Sequence, residues 1–230
     1  MTTALKARVL AAAAAEASPT RAEVGRRNML ILLVGAASGI GAFVLFTQLM
    51  SEGHMLRLGG DIAPNQHVDR SIWLLLATAG GALSVAASAV LLALRRGRSM
   101  LGRSRGWLLY GGLLIPVVLF VWKVGWSMAF GDTTLVWPER PGLRCLALSL
   151  VVAVGPLLSF LALRRRAPVQ PALNGAVMGL ASGACAWFAV DLWCPVANLP
   201  HLLLGHVLPM VILAITGGVL GQAFLALRRR

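Results

Sequence analysis

The chain has 230 residues, 58% of them hydrophobic, and its 21 Lys and Arg outnumber 8 acids to leave a formal net charge of +13. Most of the basic residues flank long apolar runs, where membrane topology and anionic headgroups account for them, so the charge is not that of a direct nucleic-acid binder. The runs are continuous and lack the alternation of barrel strands, which leaves an all-α, polytopic membrane protein as the expected class.

In chain order, residues 1–28 are the expected cytoplasmic N-terminal segment. Ala4 to Glu16 is built largely from good helix formers, and Leu5, Val9 and Ala12 or Ala13 recur at helical spacing. Pro19 interrupts that helix, and Thr20 with Glu23 has capping-box spacing for a second helix running into the first apolar run. A helix as short as the first is marginal alone in water, so it either lies on the headgroups or orders on docking into a partner's groove.

Residues 29–230 form the expected transmembrane domain of six helices. The apolar runs are Met29 to Met50, Ser71 to Leu94, Trp107 to Phe130, Leu143 to Leu163, Pro171 to Trp193 and His201 to Leu227. Each reaches the roughly 20 residues that cross a bilayer as a helix. The first is too long for a signal-peptide core and is expected to be retained. Sixteen Lys and Arg flank these runs on one side and four on the other, which predicts both termini in the cytoplasm. The connecting loops are too short to build a further folded domain.

Within the runs, Gly175, Gly179 and Gly183, Gly35 and Gly39, and Gly217 and Gly221 form small-xxx-small faces for close helix packing. Pro116, Pro156 and Pro209 each remove a backbone hydrogen bond and favour a kink. Trp73, Trp122, Trp126, Trp137, Trp187 and Trp193 fall toward outer ends and read as interfacial anchors. Lys123 is expected to snorkel to the outer interface, and Asp191, at the outer end of the fifth run, to be hydrated. No phosphate loop, nucleophile elbow or HExxH motif is present in the sequence, so neither enzyme activity nor a cofactor is expected.

Chemistry-bearing residues gather at the outer face. Cys145 opens the fourth run, Cys194 closes the fifth, and His201 and His206 begin the sixth, so topology brings four redox- or metal-competent groups to similar depth. Thiolate and imidazole suit Zn or Cu, but the spacing is no recognised zinc signature. Five positions on a regular helix put the two histidines about 140° apart, which argues against one shared four-ligand site. Paired thiols open to oxidation or bridging are the better expectation. Cys185, inside the fifth run, reads as a packing residue.

Arg144-Cys145-Leu146, the Arg164-Arg165-Arg166-Ala167-Pro168 loop, the glycine-rich fifth run, Cys194-Pro195 and the His201 and His206 pair together resemble the NrsF-type family of membrane anti-sigma factors. The resemblance is strongest from Cys145 onward and extends by architecture to the whole chain, including Ser18-Pro19-Thr20-Arg21. It implies a protein that holds an extracytoplasmic-function sigma factor at the bacterial inner membrane and releases it on an envelope, redox or metal stress signal. On that basis Leu5, Lys6, Arg8, Val9, Pro19, Thr20 and Arg21 are the expected partner-binding residues, and Cys145, Cys194, His201 and His206 the signal-sensing ones. A small membrane redox or metal-handling protein using the same Cys and His residues is the alternative.

Overall fold

In the computed structural model, residues 21–51, 72–94, 105–129, 142–163, 170–194 and 199–225 are described, and all of their regular structure is helical. The helices are α1 (Arg21–Ser51), α2 (Ile72–Leu94), α3 (Arg105–Ala129), α4 (Leu143–Leu163), α5 (Pro171–Trp193) and α6 (Leu199–Leu225). Five of them, α1 and α3 to α6, contain stretches long and apolar enough to cross a membrane, whereas α2 contributes a shorter apolar stretch, Ala79–Leu94. The helix expected to run from Thr20 and Glu23 into the first span begins at Arg21, with Glu23 in its first turn. Leu5, Lys6, Arg8, Val9, Pro19 and Thr20 lie outside the described residues, and Arg21 is the first residue of α1.

α5 is the centre of the bundle. Of its apolar stretch, 61% is buried, against 17% for α1, and it packs on α2, α3, α4 and α6. Its contact with α6 is closest, and the glycines are the reason. A Cβ on Gly175 would stand 2.1 Å from the Gly217 carbonyl oxygen, and one on Gly179 2.0 Å from that of Leu213. On the opposing face, a Cβ on Gly217 would meet the Gly175 carbonyl oxygen at 2.4 Å. Backbone therefore lies on backbone, so the small-residue faces of α5 and α6 serve packing within the chain.

α1 packs chiefly on α4. Gly35 and Gly39 sit against Pro156 and Val152, and Ser38 against Gly155. Pro156 has no N–H for the Val152 carbonyl, and Gly39 occupies the space beside that freed oxygen. Three hydroxyls of the bundle are satisfied by their own helices: Ser38 donates to Val34 O at 2.7 Å, Ser159 to Gly155 O at 2.9 Å and Ser182 to Met178 O at 2.9 Å. The outward faces are apolar, with Leu33, Ile40, Leu113, Val121, Ile215 and Val219 exposed, as a lipid-facing surface requires.

Two of the expectations for polar groups fail here. Lys123 does not snorkel and Asp191 is not hydrated; both are buried, and the Lys123 ammonium pairs with the Asp191 carboxylate between α3 and α5. A charge buried in an apolar bundle needs a partner, and each supplies the other. Trp187 likewise is no interfacial anchor, because it is buried against the core. Trp122 is 39% exposed and stacks edge-on to Trp126 at 5.7 Å.

Candidate functional site: a buried cysteine and histidine cluster

Seven polar or charged side chains are buried among the described residues, and five of them, Lys123, Ser149, Asp191, His201 and His206, gather toward one end of the bundle. Cys145 and Cys194 complete that region, both buried and both free thiols. Cys145 stands in the first turn of α4. Its approach to α6 depends on two glycines: a Cβ on Gly142 would lie 2.7 Å from the Gly205 nitrogen, and a Cβ on Gly205 would lie 3.0 Å from Cys145 Cβ. Cys194 is the C-cap of α5, where the chain leaves the helix, and its N–H donates to Val190 O at 2.7 Å.

The histidines come together because α6 is not a regular α-helix. Residues Leu203–Val207 form a π-helical turn, closed by a bond from the Leu208 N–H to Leu203 O, five residues back. That wider winding brings residues five apart nearly one above the other, whereas an α-helix would separate them by about 140°. The ring centroids of His201 and His206 are accordingly 5.6 Å apart. Pro209 supplies the local cause: it has no N–H for the Gly205 carbonyl and its ring crowds that oxygen in a regular helix. The freed carbonyl accepts instead from the Ser149 hydroxyl of α4 at 3.3 Å.

The expectation that their spacing argues against one shared four-ligand site is therefore corrected. One ligand atom from each of Cys145, Cys194, His201 and His206 lies within 4.8 Å of all the others, and all four residues are buried. Cys194 Sγ is 3.1 Å from His201 Nε2. Among the described residues neither ring nitrogen of His206 meets a partner at hydrogen-bond geometry, although the residue is 1% exposed. Trp187 packs against the His206 ring at 5.1 Å.

These residues fit a soft or borderline metal ion. Zinc-sulfur bonds of about 2.3 Å and zinc-nitrogen bonds of about 2.0 Å give tetrahedral edges of roughly 3.5 Å, a modest contraction from the spacing present. Buried imidazole nitrogens without partners are costly in an apolar bundle, and an ion would satisfy one of the two on His206. Thiol oxidation is equally within reach of the two sulfurs. Cys185 stands apart from the cluster, part-buried and packed against the apolar core, in keeping with a packing role.

Sequence reasoning did not find Lys123, Asp191, Trp187, Ser149 or Gly205 as neighbours of the site. A signal existed for two of them: Trp187, Asp191 and Cys194 follow at spacings of four and three, which is one face of a helix.

A family model described as NrsF, negative regulator of sigma F, matches residues 10–226. The chain belongs to the NrsF family. The resemblance to that family is thereby shown, and with it the general role of negative regulator of a sigma factor. No curated protein and no solved structure matches the chain.

Proposed function

We propose that this NrsF family member is a non-enzymatic, membrane-embedded anti-sigma factor that sequesters an extracytoplasmic-function sigma factor and releases it when the cysteine and histidine cluster is occupied or oxidised. The family match over residues 10–226 carries the regulatory role. Six crossings of the bacterial inner membrane, α2 included, with both termini cytoplasmic, follow from the charge asymmetry of the loops. Residues 1–28 are then the longest cytoplasmic segment, and Leu5, Lys6, Arg8, Val9, Pro19, Thr20 and Arg21 form its basic, part-apolar binding surface.

The compact cluster supports the sensing half of the proposal. Cys145, Cys194, His201 and His206 would hold a Zn- or Cu-type ion, and occupancy would tie the adjoining ends of α4, α5 and α6 to one another. A two-electron oxidant taking one hydrogen from each thiol would instead join Cys145 to Cys194 and tie α4 to α5. Either event changes the relation of three helices at one end, and so the presentation of the segment carried by α1.

Purification of the full chain in detergent from cells producing it at native level provides the test. A sigma factor is expected to co-purify from unstressed cells and to be lost after induction. Cys145→Ser and Cys194→Ser should keep the partner in both conditions, whereas Cys185→Ser should behave as the parent. The same cluster also favours a small metal-handling protein as a second reading; retention of a metal with no sigma factor in the purified complex would select it.

A further inference from the structure

Lys123 and Asp191 are 3% and 1% exposed, and Lys123 is the one buried cation among the described residues. Burying two charges at membrane depth is costly, and an apolar pair of similar volume often serves stability as well or better. Stability therefore does not explain why the pair is there. Its location does. On the last turns of α5, Trp187 lies against His206, Cys194 lies against His201, and Asp191 between them takes the Lys123 ammonium. α3 supplies no ligand to the cluster, so the ion pair is its polar attachment to the helix that does.

Cys194 is placed by that attachment. It leaves α5 with extended backbone at φ −94° and ψ 111° and keeps a backbone bond to Val190, so the rotation and depth of the last turn set where its sulfur stands. Apolar contacts tolerate small rotations of a helix; a buried ion pair, which loses heavily when its partners part, does not.

We infer that Lys123 and Asp191 are positioning residues for the cysteine and histidine cluster, an ion pair from α3 that locks the end of α5 so that Cys194 meets Cys145, His201 and His206. The inference rests on the cluster being a cation or redox site, as proposed above.

Co2+ titration of the full chain in detergent tests it, because tetrahedral thiolate and imidazole ligation gives cobalt visible d–d bands and a near-ultraviolet thiolate charge-transfer band. The Lys123→Met and Asp191→Leu double variant leaves no unpaired charge. It is expected to keep parental helix content and thermal midpoint while binding Co2+ about 10- to 100-fold more weakly, the loss found when a group supporting a metal ligand is removed. A second readout needs no metal. In a Cys185→Ser background, diamide takes one hydrogen from each thiol as the Cys145 to Cys194 bond forms and is itself reduced to the hydrazine. The double variant should form that disulfide about 10-fold more slowly. If it does not fold, Asp191→Asn, close to isosteric and still able to accept from the ammonium, should show both effects in smaller measure. Parental cobalt affinity and parental diamide rate in a folded variant would overturn the inference. A parent that binds no Co2+ would remove the cation reading alone, and the diamide rate would still decide whether the pair places Cys194.

Discussion

His206 reaches Cys194 and His201 because one turn of α6 is wound by five residues, and Pro209 makes that winding favourable by withholding an N–H from Gly205. The residues of the site were legible in the sequence as a group at one end of the bundle, but their convergence was not, since spacing arguments assume regular helices. Glycines are the other residues whose individual contribution can be read from geometry. A Cβ on Gly179 would stand 2.0 Å from the Leu213 carbonyl oxygen, a backbone atom that cannot give way, whereas one on Gly41 would meet nothing within 4 Å. Gly179→Ala is therefore expected to cost about 1–3 kcal/mol by forcing α5 and α6 apart. Gly41→Ala should instead gain about 0.5–1 kcal/mol through helix propensity. Thermal midpoints of the two variants in one detergent check the opposed signs, and equal midpoints would contradict the α5–α6 packing described.

At the level of elements, apolar run length placed five of the six described helices within two residues at each end, whereas α1 begins eight residues before its run, at the start that Thr20 and Glu23 marked. Partner choice was less legible. The glycine faces marked which sides of α1, α5 and α6 pack closely, but not that α1 would settle on α4, whose matching surface is a proline and its neighbours rather than a glycine repeat. The Lys123 and Asp191 pairing was hidden for the same reason: two isolated charges in different runs carry no sequence signal of meeting. The α1–α4 seam would carry the proposed signal, since Cys145 stands in the first turn of α4 and α1 begins at Arg21, in the proposed binding segment. A Cβ on Gly35 would lie 3.8 Å from that of Ser159, the separation typical of a disulfide. Gly35→Cys with Ser159→Cys, in a background with the three native cysteines replaced by Ser, should cross-link in membranes on mild oxidation. A gel shift after cleavage between α1 and α4 reports the bond. Absence of cross-linking at normal membrane abundance would show that α1 does not dock there.

For the whole molecule, sensing and sequestration are proposed to occupy opposite sides of the membrane, and the loop charges set which side is which. Reporter fusions after Arg27, Arg98 and Arg166 are expected to read as cytoplasmic, and fusions near Ala63, Glu139 and Asn198 as external, if α2 completes six crossings. The partner-binding role proposed for residues 1–28 rests on their extent, since the other loops assigned to the cytoplasm are shorter. That segment holds five Lys and Arg against two acids, which suits an acidic groove on the sigma factor and steers the encounter at low ionic strength. Deleting Ala4 to Glu16 removes Leu5, Lys6, Arg8 and Val9, four of the seven proposed binding residues and two of the five basic ones, while sparing the residues of α1 and the bundle. The deleted protein should insert at parental abundance and bind Co2+ as the parent does, yet fail to retain the sigma factor, so that target transcripts are high without stress. Full repression by that variant would move the binding surface to the loops between the helices, and loss of cobalt binding would show instead that the segment supports the bundle.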